Sequence, residues 1–453
     1  MAGVSRTVNA AALWVTACLA LVYLPDIGRG FIKDDYGWIA SSHVTDLHSL
    51  WRMFTTTPMG FYRPLVSLSF GLNEVVATGP FTYALTNLLL VVAIATSIWR
   101  LGQRLGLPSA AALFSAAVWA FNMHGINMSV LWISGRTSLL GTLFAVLAGL
   151  AFTASRPLLT GLLTLAALLS KEEPLLLPLV FALWTLIDTR RLTLLGGQPA
   201  PRLRSLWPAV AAVVIYLAMR SQTAALTPAN APDFYRLSAA AIGGNMIQYL
   251  DRSLTFPAAL LLLGSLGITR PLFALTATER GVLMKGLAWL VLGFGLTIML
   301  PVRSSLYVLL PSVGSALAAG AVGAALWRSM KQPRLARWAL VMLPLALWPV
   351  YHSRNARIRN EAVLASHTLT TIGETVRRSH PSSIVIISTP SDRPSIADAF
   401  AEALPIALTL FVPEAAATTV TVRTHGNDTR PGDAVYVVNE TRLQPFETPV
   451  TVK

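Results

Sequence analysis

The sequence predicts an all-α polytopic membrane protein with a small α/β domain at its C-terminal end. Hydrophobic residues make up 54% of the 453 residues and charged residues only 12%, whereas soluble domains carry about 25% charged residues. Apolar stretches long enough to span a bilayer, about 20 residues, recur from residue 8 to residue 351. After residue 351 the chain becomes polar and loses these stretches, which indicates a second, water-facing domain.

The apolar stretches predict about 11 transmembrane helices within a membrane domain of residues 1–351. The first stretch ends in Tyr-Leu-Pro-Asp without a small-residue cleavage site, so we expect a retained helix rather than a signal peptide. Cys18, the only cysteine, excludes an internal disulfide and a cysteine-based metal site. The predicted spans are 8–24, 81–99, 109–122, 138–154, 157–170, 174–188, 206–222, 254–268, 282–300, 305–326 and 337–351.

The net charge of +14 belongs entirely to the membrane domain, which has 25 basic and 11 acidic residues, because residues 352–453 contain 10 of each. Most of the basic residues fall in alternate loops and nine of the acidic residues in the others, which predicts a cytoplasmic N-terminus. The first outer loop, 25–80, and the tail then face the non-cytoplasmic side. Contact with anionic membrane lipids explains the cytoplasmic basic residues. Nucleic-acid binding is not expected, since no basic stripe lies on a soluble domain.

The remaining segments complete the predicted architecture. Segments 62–78 and 238–252 are amphipathic or only moderately apolar, so we expect both to lie along the outer face of the membrane. The tail of residues 352–453 is predicted to form an extracytoplasmic α/β domain from alternating helix and strand patterns. Its predicted helices are 355–378 and 394–410, and its predicted strands are 383–389, 418–424 and 433–439.

Two adjacent aspartates, Asp34 and Asp35, follow the first span in the outer loop. Neighbouring carboxylates repel each other and are costly to bury unless they are paired or ligated. One of them would serve as a general base that takes a proton from an acceptor hydroxyl. The pair, with Glu172, would also suit a divalent cation that neutralises a phosphate leaving group. The alternative is a solvated loop or a helix N-cap, where aspartate is common.

Three arginines, Arg63, Arg136 and Arg303, stand near the outer ends of apolar segments. A guanidinium binds phosphate through two parallel hydrogen bonds, so these arginines are candidates for binding a phosphate group. The alternative is that their side chains extend to the lipid headgroups.

Three consecutive charges, Lys171, Glu172 and Glu173, separate two closely spaced hydrophobic runs. They must lie near the surface or line a cavity, where Glu172 or Glu173 would orient Arg63 or contact a cation. A plain turn between spans is the alternative. Further expected cavity residues are Tyr62, His124, Tyr249 and Tyr307, although a lone histidine is more often structural.

The order of six strings resembles that of the multi-spanning GT-C glycosyltransferases that use polyprenyl-phosphate sugars. The likeness is closest to the TMTC-type O-mannosyltransferases and their bacterial relatives, without the tetratricopeptide repeats, and it covers roughly residues 8–350. The strings are DDYGWI (34–39), YRPLVSLSFGLN (62–73), the run 80–90, WISGRTSLL (132–140), LLSKEEPLLLPL (168–179) and SSLYVLLPSVG (304–314).

This resemblance implies an enzyme in which Asp34 is the general base, Asp35 its partner, and Arg63 with Arg303 the residues that contact the lipid phosphate. The expected reaction moves a sugar from a polyprenyl-phosphate donor to a protein, lipid or glycan acceptor outside the cytoplasm, with inversion. A bacterial inner membrane with a periplasmic active site is the expected location, and a divalent cation is the one cofactor considered. The alternatives are a transporter or flippase of lipid-linked sugars and a non-catalytic membrane assembly subunit.

Overall fold

The computed structural model describes residues 2–194, 205–225, 232–266, 274–330, 342–425 and 433–446. These residues are mostly helical and include a small sheet near the C-terminus, as the sequence predicts. The helices before residue 205 are α1 (Ala2–Tyr23), α2 (Asp34–Ser41), α3 (Leu47–Arg52), α4 (Pro64–Val76), α5 (Pro80–Arg104), α6 (Ser109–Ala120), α7 (Ile126–Leu131), α8 (Arg136–Thr153), α9 (Pro157–Leu168) and α10 (Leu177–Leu194). The later ones are α11 (Trp207–Ser221), α12 (Pro232–Tyr235), α13 (Ala241–Ser265), α14 (Ala277–Gly293), α15 (Leu309–Ser329), α16 (Trp348–Ser379), α17 (Ile396–Phe400) and α18 (Leu404–Phe411).

Among the described residues, three helical segments are long and apolar enough to cross a membrane, namely Pro80–Arg104, Ile133–Thr153 and Ser305–Ser329. The shorter apolar helices are Ala10–Tyr23, Pro64–Val76, Ser109–Ala120, Pro157–Leu168 and Trp207–Ser221. The total of about 11 spans therefore stays a prediction. The last predicted span, 337–351, lies partly outside the described residues.

The interior of the helical bundle is built around α8 and α15. Their apolar windows are 78% and 89% buried, against 44% for α5. Helix α14 approaches α15 closely where Gly286 faces Gly314, since a Cβ on Gly314 would lie 2.5 Å from the backbone nitrogen of Leu290. Small residues at such a contact let helix backbones pack tightly in a membrane protein. The loops that follow these helices are therefore attached to closely packed helix ends.

The two predicted interfacial segments have different outcomes. Helix α4 begins at Pro64, a residue suited to the first helical position, and lies within the predicted range of 62–78. The separation of segment 238–252 from span 254–268 is wrong, because α13 is continuous through Ser253. The Ser253 hydroxyl donates to the carbonyl of Tyr249 one turn earlier, at 2.7 Å, so a polar residue at the junction does not end the helix.

The C-terminal α/β prediction is confirmed in outline. The strands β1 (Ser383–Ile387), β2 (Thr419–Arg423), β3 (Ala434–Asn439) and β4 (Arg442–Pro445) form a sheet of order β2-β1-β3-β4. Strand β1 is parallel to β2 and β3, whereas β4, which the sequence did not predict, pairs antiparallel with β3. The predicted helix 394–410 is split into α17 and α18, because Ala401 has a φ of +47° that a continuing helix does not allow.

The C-terminal domain packs against the segment that leads into α2. The Phe31 ring stacks on Phe411 with centroids 5.5 Å apart, and the Tyr36 ring stacks on Phe400 at 5.6 Å. Offset aromatic pairs of this kind add stability beyond the area that they bury. The helix that begins with the two aspartates is thus positioned by the tail as well as by the bundle.

Candidate active site

The first turn of α2 is fixed by contacts of the residue that precedes it. The backbone N–H of Lys33 donates to the carbonyl of Ala399 in the C-terminal domain at 2.9 Å, and its ammonium pairs with Glu361 of α16 at 2.7 Å. Lys33 has a φ of +50°, a strained conformation for a residue with a Cβ that persists only where surrounding contacts hold it. These contacts set the directions of Asp34 and Asp35.

Asp35 points into the protein and is fully buried. One carboxylate oxygen accepts the backbone N–H of Ile32 at 2.9 Å, and the other accepts the backbone N–H and the hydroxyl of Ser134 at 2.7 and 2.5 Å. Burial raises the pKa of Asp35 to about 7, although the hydrogen bonds from Ser134 and Ile32 lower it. Asp35 therefore ties α2 to the WISGR string, and its oxygens are already engaged.

Asp34 points outward and is exposed on its outer edge. No residue that the structure describes donates a hydrogen bond to its carboxylate, so its lone pairs are open to a ligand. The protein around it limits hydration and raises its pKa, while the nearby charges of Arg63 and Lys33 lower it. A carboxylate with an elevated pKa and free lone pairs is suited to accept a proton.

Arg63 lies beside Asp34 and belongs to a buried charge cluster. Its Nη2 donates to Glu172 Oε2 at 2.9 Å, and its guanidinium lies 4.2 Å from the centroid of the Phe61 ring. The other Glu172 oxygen pairs with Arg220 Nη1 at 3.2 Å. Burial alone would raise the pKa of Glu172, but Arg63 and Arg220 lower it to about 2. Two guanidinium groups thus share one carboxylate, and the buried Arg63 Nε has no hydrogen-bond partner among the described residues.

Lys171 and Glu173 form a second pair next to this cluster. The Lys171 Nζ lies 2.5 Å from Glu173 Oε1 and donates to the Ser138 hydroxyl at 2.5 Å. It also lies 4.9 Å from the centroid of the Tyr307 ring. Burial lowers the pKa of Lys171, while Glu173 raises it. The structure thereby joins the LLSKEE, WISGRTS and SSLY strings at the same end of the bundle.

Two residues at this cluster are missing from the sequence-based candidates. Arg220 ends α11, and its position at the outer end of a predicted span is the same signal that selected Arg136 and Arg303. The Tyr235 ring packs edge-on against Phe61 at 5.4 Å, and its hydroxyl is hydrogen-bonded to Tyr307. No local pattern marks Tyr235, because only the fold brings α12 to this place.

Arg136 does not have the surroundings expected of a residue that contacts phosphate. It is fully buried, and its Nε donates to Asn87 Oδ1 at 2.8 Å and its Nη1 to Asn73 Oδ1 at 2.5 Å. The same guanidinium donates to the backbone carbonyls of Ser69 and Tyr83 at 3.1 and 2.7 Å. Its donors are therefore used inside the bundle, where they hold α4, α5 and α8 together.

Arg303 remains exposed at the same end of the molecule. Its Nε donates to Asn245 Oδ1 at 2.9 Å, and Asn245 is fixed by donating to the carbonyls of Ile298 and Leu300. Tyr249, one turn further along α13, is buried and stacks on Phe294 with centroids 5.4 Å apart.

Tyr62 and His124 were predicted to line the cavity. Tyr62 is buried, and its hydroxyl donates to the carbonyl of Phe54 at 3.1 Å, so it shapes the loop before Arg63. His124 Nδ1 lies 3.2 Å from Arg354 Nη2 of α16. None of the contacts described for His124 involves the Arg63 cluster.

The carboxylates proposed for a cation, Asp34, Asp35 and Glu172, do not form a ligand cage. Among the described residues no group of three or more His, Cys, Asp or Glu side chains is arranged to hold a metal ion. The oxygens of Asp35 accept backbone and hydroxyl protons, and those of Glu172 are engaged by two arginines. The oxygens of Asp35 and Glu172 are thus engaged by donors of the protein, and a divalent cation at this site stays a prediction.

The chain was compared with protein families, curated proteins and solved structures, and one of the similar solved structures is described here. No protein-family model matches the chain, and no curated protein matches it. One similar structure is the crystal structure of the Archaeoglobus fulgidus oligosaccharyltransferase, tethered with an acceptor peptide containing the NVT sequon via a disulfide bond. Its sequence is 10% identical to this chain, and the two structures superpose with a TM-score of 0.44. The match covers 91% of this chain and 63% of that one, so this chain spans less than two thirds of that protein's length.

Proposed function

We propose that the protein is an integral membrane glycosyltransferase that moves a sugar from a polyprenyl-phosphate donor to an acceptor on the non-cytoplasmic face, with inversion. The observation that carries this proposal is an open carboxylate, Asp34, within reach of the charge of Arg63, whose guanidinium is held by Glu172. The resemblance of six sequence strings to GT-C glycosyltransferases supplies the reaction class.

The charges of the cluster are suited to a phosphate. Three cations, Arg63, Arg220 and Lys171, are held by two carboxylates, Glu172 and Glu173. Counted without Asp34, these groups leave one positive charge, which matches the single negative charge of a sugar phosphodiester; ionised Asp34 offsets it until Asp34 takes up the acceptor proton. Arginine forks are well suited to bind such a group. The exposed Arg303 is proposed as a further, peripheral phosphate contact, whereas Arg136 is left out because its donors are engaged in the bundle.

In the proposed reaction, Asp34 accepts the proton of an acceptor hydroxyl as that oxygen attacks the anomeric carbon of the donor. The bond between the anomeric carbon and the phosphate oxygen breaks at the same time, and the electron pair leaves with the phosphate. Phosphate is a good leaving group, so no second acid is needed, unlike in glycoside hydrolysis with two carboxylates. The growing negative charge on the phosphate is stabilised by preorganised guanidinium donors, first among them Arg63.

Asp35 is assigned a positioning role in this proposal. Its three hydrogen bonds hold the first turn of α2 against the loop of residues 132–136. Asp34 and Asp35 therefore form a matched pair of adjacent residues with different roles, which makes each a control for the other.

The test is complementation of a deletion strain, with mass spectrometry of glycoconjugates to identify the lost sugar and its acceptor. Wild-type protein should restore the product. Asp34→Asn should lower transfer by about 10²–10⁴-fold, the usual contribution of a general base, at unchanged membrane abundance.

The matched control is Asp35→Asn. An amide there sets an NH₂ group against the donors of either Ile32 or Ser134, which costs about 1–3 kcal/mol of stability. Transfer per folded molecule should stay within a few-fold of wild type. Full transfer by Asp34→Asn would refute the assignment of the base.

A further inference from the structure

A second group of basic side chains lies where the loop of residues 121–125 meets α13 and α16. Asn122 Nδ2 donates to the carbonyl of Arg252 on α13 at 3.2 Å, and Asn122 Oδ1 accepts the backbone N–H of His124 at 3.0 Å. The Tyr351 hydroxyl of α16 donates to the carbonyl of Phe121. The loop is therefore tied to both helices, and the side chains that it carries are held in place.

His124 is flanked by two arginines. Arg354 Nη2 lies 3.2 Å from His124 Nδ1, and since a guanidinium is always a donor, this ring nitrogen is the acceptor. The imidazole is then neutral, with its N–H on Nε2 free to donate. Burial lowers the pKa of His124, and the charges of Arg354 and Arg252 lower it further, while Asp251 raises it. Arg354 thus contacts the ring, whereas Arg252, whose Nη2 donates to Gln248 Oε1 at 3.4 Å, acts on the ring through its charge.

These two arginines lack the carboxylate partners that several other arginines have. Across the residues the structure describes, neither Arg252 nor Arg354 forms an ion pair with a carboxylate, whereas Arg63, Arg220, Arg328 and Arg359 each do. The nearest acidic group named by its charge effect, Asp251, is exposed and accepts the hydroxyl of Thr255 at 2.6 Å. Positive charge gathered without neutralisation at a half-exposed position favours an anion.

We propose that His124, Arg252 and Arg354 form a second anion site, which binds a phosphate group. Two guanidinium forks and the Nε2–H of a neutral imidazole supply several donors of the kind that phosphate oxygens accept. The phosphate belongs either to a lipid headgroup or to a free phosphate compound. This site does not depend on the glycosyltransferase proposal, because none of its three residues has been placed in the reaction.

The second site is separate from the Arg63 cluster. Lys171 of that cluster packs on the Tyr307 ring, and Tyr307 in turn packs edge-on against the buried Tyr249 with centroids 6.4 Å apart. Arg252 follows Tyr249 by one turn on α13. The aromatic pair therefore lies between the two charged groups, and substitutions at the second site are expected to leave the first unchanged.

The test uses the purified full chain and two probes. Inorganic phosphate is titrated by calorimetry in detergent, and native mass spectrometry counts lipids retained from phosphatidylcholine nanodiscs with and without phosphatidylglycerol. The variant is Arg252→Gln/Arg354→Gln. The matched control is Arg377→Gln/Arg378→Gln, which removes the same charge from exposed arginines of α16 that are paired with Glu414 and Glu374.

The site variant should weaken binding of at least one probe by about tenfold or more, the effect of losing charge-assisted hydrogen bonds, and the control should stay within about twofold. Loss confined to phosphatidylglycerol identifies a lipid headgroup, and loss confined to inorganic phosphate identifies a free phosphate compound. Unchanged binding of both probes, or no binding by wild type, overturns the proposal. If the double variant elutes as aggregate, the exposed single change Arg354→Gln replaces it, with an expected loss of about threefold and the same criteria.

Discussion

Two arginines at the same end of the bundle differ in how their surroundings use them. Arg136 is fully enclosed, and its guanidinium donates to two amide oxygens and two backbone carbonyls. Arg63 shares the carboxylate of Glu172 with Arg220, leaves its Nε without a partner among the described residues, and acts through its charge on the open carboxylate of Asp34.

This difference supports the proposed division between a structural role for Arg136 and a binding role for Arg63. A buried polar network whose members are all satisfied makes its part of the core rigid and specific. Charged groups that are only partly satisfied remain costly until a ligand completes them, and such groups cluster at functional sites. The same contrast distinguishes Asp35, whose oxygens are engaged, from Asp34, whose oxygens are open. Hydrogen-bond saturation, rather than residue type, therefore assigns the roles at this end of the molecule.

The largest expected effect is the loss of stability when Arg136 is replaced, which tests its structural role. Arg136→Met should leave the oxygens of Asn73 and Asn87 and two backbone carbonyls without their donor, at about 1–3 kcal/mol for each buried group left unsatisfied. We expect a sharp fall in thermal stability, measured by size-exclusion chromatography of heated detergent extracts. A variant with wild-type stability that has lost transfer would instead place Arg136 in the active site.

The next effect concerns Arg63. Arg63→Gln should lower transfer by about 10²–10³-fold, as when one preorganised donor to a developing charge is removed, with only a small change in stability. Arg63→Lys keeps the charge but loses the planar fork, so its activity should fall between those of wild type and Arg63→Gln. The exposed Arg377→Gln is the control for charge loss. Equal activity of all these proteins would remove Arg63 from the phosphate clamp.

The pH dependence sharpens the contrast between Asp34 and its neighbours. A base must be ionised, so transfer falls as pH drops through the pKa of Asp34. Burial raises that pKa, so the acid limb of kcat/KM should lie above the ordinary aspartate value of about 3.9. Glu172, with a pKa of about 2, stays ionised over this range and keeps the cluster intact. Asp35→Asn should retain the limb, and its disappearance there would transfer the assignment to Asp35.

The smallest effect concerns the contact between α2 and the C-terminal domain. Lys33→Met removes the ion pair with Glu361, but Glu361 keeps Arg357 at 3.0 Å, and partly exposed pairs contribute only about 0–1 kcal/mol. Transfer should fall by about threefold, measured at equal amounts of folded protein. A complete loss of transfer would show that the tail determines the position of Asp34 far more strongly than this pair suggests.

Much of the helical architecture and the main cluster could be predicted from sequence. Three consecutive charges, Lys171 to Glu173, stand between closely spaced predicted spans, so they must lie near the surface or line a cavity. The structure pairs Glu172 of this run with Arg63. The division of Asp34 from Asp35 could not be predicted, because neighbouring residues of a helix point about 100° apart and only the packing decides which faces inward. Tyr235 was missed for a related reason, since its partners are distant in sequence.

By itself, the sequence predicted a membrane protein, and it determined the mostly helical bundle with its small sheet in the tail and the set of charged strings gathered at one end. Hydropathy and charge act through the chain's local composition, so these properties can be read without coordinates. Tertiary structure alone decided which charges are saturated. That depends on whether hydrogen-bond partners such as Ser134, Asn87 or Arg220 lie close to the charged group in space. Hydrogen bonds act only over about 3 Å, and no sequence pattern specifies contacts between distant segments at that range.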